Sequence, residues 1–413
     1  MNMKRYQRTK ASQYLVVGLV ILGVIATAFI SFLIMRRISF QDQFAIPWAA
    51  GRAWLLESVN PYQGEVVQFA ENAIKESPYK ASLPDEEFLY LPLFNLIFYL
   101  PFSLIPYTIS RVIWVTLISI CIYLIVYFSF SLSSWKISQI EKILVAILGV
   151  LWVPGITTML LGHLSPAIIL LLCVSIFLFL EKQDTTAGFV LAMTAGSFPI
   201  SGLVIILMLV WAMIKRRWSL ISAFFSGVVF IIVVSILLLP SWPRDWLGIT
   251  IDYYSNLEMI QTPIMALAAS LPGIEQLLSI SLHAIIGFYY LYMLIRLKGK
   301  SERVFIWNLM VTLIIAYLVN IQGSISFIFL IYPALFLVFR FFSERWGLFG
   351  KIISWLLLTI FGFGSWVFFL PFDSLREPVD LPVIYIGVPI LILIGMNWIR
   401  WWAIKIPKLP FET

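Results

Sequence analysis

One carboxylate, Asp42, stands where the first long apolar run of the chain ends and a polar segment begins. A carboxylate at the boundary between lipid and water can act as a general base, because partial desolvation raises its pKa toward a useful value. An aspartate just ahead of a helix can instead cap that helix. The residue types around Asp42 leave both roles open.

Candidate phosphate-binding and proton-transfer groups occur in other polar segments. Arg52, Lys80 and Arg244 lie outside the predicted spans, and their side chains suit phosphate oxygens. Each can equally be an interfacial residue that extends its charge to water. His163, in LLGHLSPAI, sits at the edge of an apolar run, where an ionisable group is either a functional residue or a packed one.

Membrane helices must position these groups. The 413-residue chain is 61% hydrophobic and 12% charged, whereas soluble chains are about half apolar and about a quarter charged. The net charge of +7 comes mostly from short segments beside apolar runs, as the positive-inside rule expects, so no nucleic-acid partner is expected. Two cysteines and two histidines match no metal-site spacing, and no metal or cofactor is expected.

The hydropathy pattern predicts an all-α polytopic membrane protein with about twelve spans (10–13), in one domain over residues 1–413. The first span covers about residues 14–35. The protein is expected in the plasma membrane. Basic flanks place both termini in the cytoplasm and put the first long loop, about 37–90, outside. The later predicted spans are 109–131, 142–160, 166–181, 187–213, 219–239, 277–296, 304–321, 324–342, 352–370 and 383–402.

Prolines make the region 89–213 ambiguous. The run LYLPLFNLIFYLPFSLIP can be a short span or a re-entrant segment, and AGSFPISG breaks the run 187–213 near Pro199. Broken helices at membrane depth are tolerated where they line a cavity, so a cavity is expected in this half. In the outer loop, the residues from Phe44 to Leu55 suggest an amphipathic interfacial helix, which SVNPYQG ends as a turn.

The order of these motifs resembles glycosyltransferase family 87, a group of integral-membrane sugar transferases that includes mannosyltransferases. The resemblance is good over about residues 14–115 and weaker to about 220, so it implies a module over 1–220 followed by variable helices over 221–413. It matches Asp42 to the family's catalytic loop aspartate and His163 to a glutamine position. The remaining matches are Asn60, Pro61 and Tyr62 in the turn, then Tyr90, Pro92 and Leu93 where the next span starts.

The resemblance implies a GT-C fold and inverting transfer of a hexose, such as mannose, without a bound metal. It also implies a polyprenyl-phosphate donor, a lipid or glycan acceptor, and a site on the extracytoplasmic face with Asp42 as base. Asn60, Tyr62, Tyr90 and His163 become candidates for binding the donor's sugar or phosphate, beside the three cations named above.

Two family residues are replaced in this chain. A family Lys-Pro pair is Phe198-Pro199 here, and a family histidine before YPAL is absent from NIQGSISFIFLIYPAL, which offers Gln322, Ser324 and Ser326. The phosphate can then be held by Arg52 or Arg244, or the donor can differ. Two further interpretations are an inactive membrane-complex subunit of the same fold and a lipid or sugar transporter, although no matching breaks mark the second half as an inverted repeat.

Overall fold

The computed structural model describes residues 3–84, 91–255, 262–321, 324–366, 374–375 and 386–400. The described chain is predominantly helical, which confirms the predicted all-α class. Three strands of two or three residues form no sheet core. The helices are α1 (Met3–Arg37), α2 (Ala45–Glu57), α3 (Glu65–Lys75), α4 (Leu93–Leu96), α5 (Leu100–Ser103), α6 (Tyr107–Ser133), α7 (Gln139–Leu151), α8 (Val153–Leu161), α9 (Ser165–Leu180), α10 (Asp184–Met193), α11 (Phe198–Ile214), α12 (Trp218–Leu238), α13 (Trp242–Ser255), α14 (Pro263–Ala269), α15 (Glu275–Ile295), α16 (Glu302–Leu318), α17 (Tyr332–Thr359) and α18 (Val388–Ile399).

Several helices have the length and apolar character of membrane spans. In the described residues, five helical stretches qualify, and a sixth is obtained if the bent pair α7 and α8 is one span. The shorter helices α9 and α18 are also apolar. These counts support a membrane protein, whereas the figure of about twelve spans stays a prediction. Apolar side chains of α12 and α15 are largely exposed, as expected for helices that face lipid.

The predicted break near Pro199 is present, and the structure adds one that the sequence did not predict. Inside the predicted span 142–160, a bend of 56° separates α7 from α8 at Trp152, whose backbone is extended. The run 187–213 is two helices, since α10 ends at Met193 and α11 begins at Phe198 after one 3-10 turn. The apolar run after residue 90 forms only the four-residue helices α4 and α5, so its described part is no continuous span.

A small parallel sheet joins distant parts of the chain. Its strands are β1 (Ser39–Gln41), β2 (Ala81–Ser82) and β3 (Ser374–Leu375), in the order β2-β1-β3. Phe40 is paired with Ala81 on one side and with Leu375 on the other. The first predicted outer loop therefore contacts the late one, which contains FDSLREPVD.

Helix α2 differs from the predicted interfacial helix. Every residue from Ala45 to Gly51 is buried, and exposure begins only at the last turn. Small residues, among them Ala49 and Ala50, let neighbouring segments pack around the whole helix. The one-sided amphipathic helix of this loop is instead α3, which buries Val66, Ala70 and Ile74.

The contact between α10 and α12 depends on a glycine, so Gly188→Ala is expected to destabilise the protein by about 1–3 kcal/mol. An added Cβ would lie 2.5 Å from the Leu220 carbonyl oxygen and 2.8 Å from the Ala223 Cβ. Thermal unfolding in detergent measures the effect as a lower Tm. Gly287→Ala on α15 is the matched control, because its added Cβ would meet no described atom within 4 Å. Equal Tm shifts in the two variants would contradict close α10–α12 packing.

Candidate active site

A cavity of about 370 Å³ lies between the first loop, the short helices after residue 90 and the break between α10 and α11. Gln43, His163 and Ser165 form what we call its polar wall, while aromatic and aliphatic side chains supply most of the remaining surface. The lining residues fall in the segments 43–47, 91–99, 163–168, 195–200 and 246–250, together with Pro84, Ile321 and Phe327. Both halves of the chain therefore contribute to the wall.

Asp42 lies directly behind this wall and does not line the cavity. Its side chain is 0% exposed and its Oδ2 is 3.0 Å from Nε of Arg111, which is also 0% exposed. The Tyr107 hydroxyl donates to the same oxygen, and the backbone N–H of Phe44 donates to Oδ1 at 3.0 Å. The carboxylate expected at a wet boundary is thus fully buried. It accepts from the backbone just before α2 and pairs with a charge, but α2 has no side-chain cap.

Burial raises the pKa of the Asp42 carboxyl above its usual value, and the guanidinium of Arg111 opposes that rise. Burial also raises the pKa of the nearby Tyr79 to about 12. The tyrosine therefore stays protonated at neutral pH. Asp42 is therefore the acidic group of this cluster whose protonation the opposing effects of burial and Arg111 control.

The turn before His163 is held firmly against α6. Gly162 adopts a φ of +78°, and its carbonyl oxygen accepts a 2.8 Å hydrogen bond from Trp114 Nε1. The backbone N–H of Gln43 donates to the Leu161 carbonyl at 2.8 Å. These contacts place His163 beside Gln43 on the polar wall, so His163 remains a candidate site residue.

Two helix N-termini reach the cavity. Ser165 begins α9, and Ser197 and Phe198 mark the start of α11; all three line the cavity. Neither helix has a side-chain cap hydrogen bond. The first turn of a helix exposes N–H groups and a partial positive charge. Pro166 and Pro199 each remove one N–H from these two turns, so mainly the helix dipoles favour an anion here.

Hydrogen-bonded serine hydroxyls occupy the region in which the resemblance to family 87 implies a histidine. Ser165 donates to Ser326 at 2.5 Å, and the Ser324 and Ser326 hydroxyl oxygens are 2.8 Å apart. Ser165 is on the polar wall, so the segment before α17 does reach the site. Gln322 lies outside the described residues.

Asn60 and Tyr62 do not line the cavity, but each is hydrogen-bonded to a segment that does. Asn60 Nδ2 donates to Asp245 on α13 at 2.7 Å, and the Tyr62 hydroxyl donates to the Leu91 carbonyl at 3.0 Å. Leu91 lines the cavity, as does Trp246, the neighbour of Asp245. The predicted turn is therefore bonded to two segments that line the cavity, while Tyr90 lies outside the described residues.

The three candidate cations do not reach the cavity. Arg52 donates to the Ser103 carbonyl at 3.2 Å and packs on the Trp48 ring, while the side chains of Lys80 and Arg244 are exposed. No lysine, arginine, aspartate or glutamate occurs among the described lining residues. The geometry therefore offers helix N-termini and a histidine for an anion, in place of the expected fixed cations.

Sequence reasoning missed Arg111 and Gln43. Arg111 lies in RVIW, at the start of a long apolar run, and an ionisable residue in such a run marks a functional candidate. That signal was available. Gln43 carries no comparable signal, because its place on the wall follows only from the pairing of its backbone with Leu161.

Comparison with known proteins decides the family. The sequence profile of glycosyltransferase family 87 matches residues 88–320, more than half of the chain. The chain belongs to glycosyltransferase family 87. It is therefore a membrane glycosyltransferase, and the cavity with its polar wall is the candidate active site of this family 87 enzyme. Searches of curated proteins and of solved structures give no significant match.

The hydrogen bond between Asn60 and Asp245, next to the cavity, generates a prediction for Asn60→Ala. Loss of the bond to Asp245 should free α13, at a cost of about 1 kcal/mol, and raise the KM of transfer roughly fivefold. Initial-rate kinetics in detergent or proteoliposomes measure this. Asn72→Ala, at an exposed position of α3, is the control and should leave KM unchanged. A loss confined to kcat in Asn60→Ala would contradict a role of this bond in substrate binding.

Proposed function

We propose that the protein transfers a hexose from a polyprenyl-phosphate donor to a hydroxyl of a lipid or glycan acceptor, with inversion at the sugar carbon. The donor class and the stereochemistry are those implied by family 87 resemblance. The observation that carries the proposal is the cavity itself, in which a polar wall and two helix N-termini face an otherwise apolar lining. A lipid-linked sugar phosphate has the same division of polar and apolar parts.

The donor phosphate is proposed to bind between the starts of α9 and α11. Helix N-termini bind phosphates through free N–H groups and the helix dipole. His163 adds a hydrogen-bond donor. This arrangement replaces the family lysine, whose position is occupied by Phe198, a side chain that is 60% exposed and lines the cavity.

The isoprenoid tail is proposed to follow the apolar part of the lining. Ile168, Ile200 and Phe327 lie in the same cavity as the polar wall, so a single molecule can contact both. Burial of apolar surface gives roughly 25 cal/mol per Å², which favours a donor anchored by its tail over a water-soluble sugar nucleotide. The lining therefore supports a lipid donor, and mannose is one candidate hexose.

Asp42 is proposed as the general base. The acceptor hydroxyl oxygen forms a bond to the anomeric carbon, the bond from that carbon to the phosphate oxygen breaks, and polyprenyl phosphate leaves. The acceptor proton passes to Asp42. Catalytic contacts are often incomplete without substrate. The role requires the acceptor to pass the wall at Gln43, one residue from the carboxylate.

The reaction is proposed to occur on the extracytoplasmic face of the plasma membrane, with both termini in the cytoplasm. Basic segments between predicted spans support this orientation. Pairing of β1 with β3 also supports it, because the two loops that the charge pattern places outside are brought together beside Asp42. Assembly into a larger membrane complex is compatible with this function.

The base assignment predicts that Asp42→Asn lowers kcat by at least about 100-fold, since a general base typically contributes 10²–10⁴-fold. Transfer of labelled hexose from a polyprenyl phosphate in proteoliposomes measures it, with circular dichroism and detergent Tm as folding controls. Asp252→Asn, at an exposed position of α13, should retain activity. Full activity of Asp42→Asn would move the base away from Asp42.

The phosphate subsite predicts different results for two His163 variants. His163→Leu removes a hydrogen bond to a charged group, worth about 1.5–3 kcal/mol, and should raise the donor KM at least tenfold. His163→Gln keeps a hydrogen-bond donor and should lie closer to wild type. Kinetics with varied donor at saturating acceptor separates the two. A wild-type donor KM in His163→Leu would remove His163 from the subsite.

A further inference from the structure

Arg111 is a fully buried charge on the second turn of α6, one layer behind the cavity wall. Such a charge is costly unless its surroundings satisfy it, and buried ion pairs often contribute less stability than well-packed apolar residues of similar size. Its Nη1 atom has no hydrogen-bond partner among the described residues. Stability alone therefore accounts poorly for an arginine at this position.

The other two nitrogens of Arg111 join separate segments of the active site. Nε is 3.0 Å from the Asp42 carboxylate, and Nη2 donates to the carbonyl of Leu160 at the end of α8. One turn further along α6, Trp114 holds the Gly162 carbonyl. A single helix face thus fixes the segments that precede Gln43 and His163, the two larger side chains of the polar wall.

We propose that Arg111 is a positioning residue for sugar transfer. It holds the Asp42 carboxylate and the turn before His163 in fixed positions relative to each other, behind the cavity wall. The inference rests on the proposed function, in which Asp42 is the base. Arg111 itself touches neither donor nor acceptor. Its fork geometry does what lysine cannot, because lysine offers one charged nitrogen and cannot reach both partners in fixed directions.

The guanidinium also favours the ionised form of Asp42, because it opposes the burial that raises the pKa of this carboxyl. The titratable and charged groups that face the carboxylate are Arg111 and Tyr107 on α6, Tyr79 ahead of β2, and Tyr99 ahead of α5. Arg111 is the cation in this set. Removing its charge raises the pKa of Asp42, so the base loses its proton only at higher pH, and the acid limb of the kcat/KM profile should move upward.

Two substitutions separate charge from geometry. Arg111→Gln keeps hydrogen-bond donors without the charge. It should lower kcat/KM about 100-fold, because a small misplacement of reacting groups can have an effect of this size. It should also shift the acid limb of the kcat/KM profile to higher pH. Arg111→Lys keeps the charge without the fork; it should lower kcat with the acid limb unmoved. The donor KM should change little in both variants.

Arg217 provides the matched control, because it forms a second arginine–aspartate pair away from the cavity. Its Nε lies 2.9 Å from Oδ2 of Asp184, and neither residue lines the cavity. Arg217→Gln and Arg217→Lys should lower the Tm without moving the acid limb. The pH profiles of the four variants and the wild type are compared in one proteoliposome assay.

An unmoved acid limb in folded Arg111→Gln would overturn the inference. If Arg111→Gln does not fold, Arg111→Lys decides: a kcat loss at least tenfold greater than that of Arg217→Lys supports positioning, and an equal loss overturns it. Failure of the proposed function looks different. In that case the wild-type protein transfers no hexose from a polyprenyl phosphate, or Asp42→Asn keeps the wild-type acid limb.

Discussion

The pairing of Asp42 with Arg111 is the constraint on which the rest of the site depends. Both side chains are 0% exposed, and removing an ion from water costs several kcal/mol even in a relaxed protein. The surroundings must therefore supply donors and acceptors at fixed places. Tyr107, Phe44 and Leu160 do so, which ties the first loop and the end of α8 to α6. These bonds therefore fix the geometry of the polar wall.

Around this fixed point, helix breaks make the cavity. The helices stop at Gly162 and again between Met193 and Phe198, and both breaks line or adjoin the same space. Interrupted helices at membrane depth are stable only where their free backbone groups meet protein or a polar cavity. The interruptions also turn two helix N-termini inward. In the proposed function, these helix ends attract the donor phosphate to a cavity whose described lining contains no lysine or arginine.

The local parts of this arrangement were predictable, and the long-range parts were not. Proline chemistry located the break near Pro199, and the edge of an apolar run singled out His163. Pairings across the chain leave no local signal: Asp42 and Arg111 are 69 residues apart, and Asn60 and Asp245 are 185 apart. Asp42 was for that reason expected at a wet boundary. The cations were chosen by loop position, which says nothing about the direction of a side chain.

The central claim is that a lipid-linked sugar phosphate binds in this cavity with its phosphate between the starts of α9 and α11. Cryo-electron microscopy of the protein with a bound polyprenyl-phosphate hexose tests it most directly. The account predicts phosphate density within hydrogen-bonding distance of His163 and of backbone N–H groups near Ser165 or Ser197, with the hexose beside Gln43. Phosphate density elsewhere, for instance against the lipid-facing surface of α15, would contradict it.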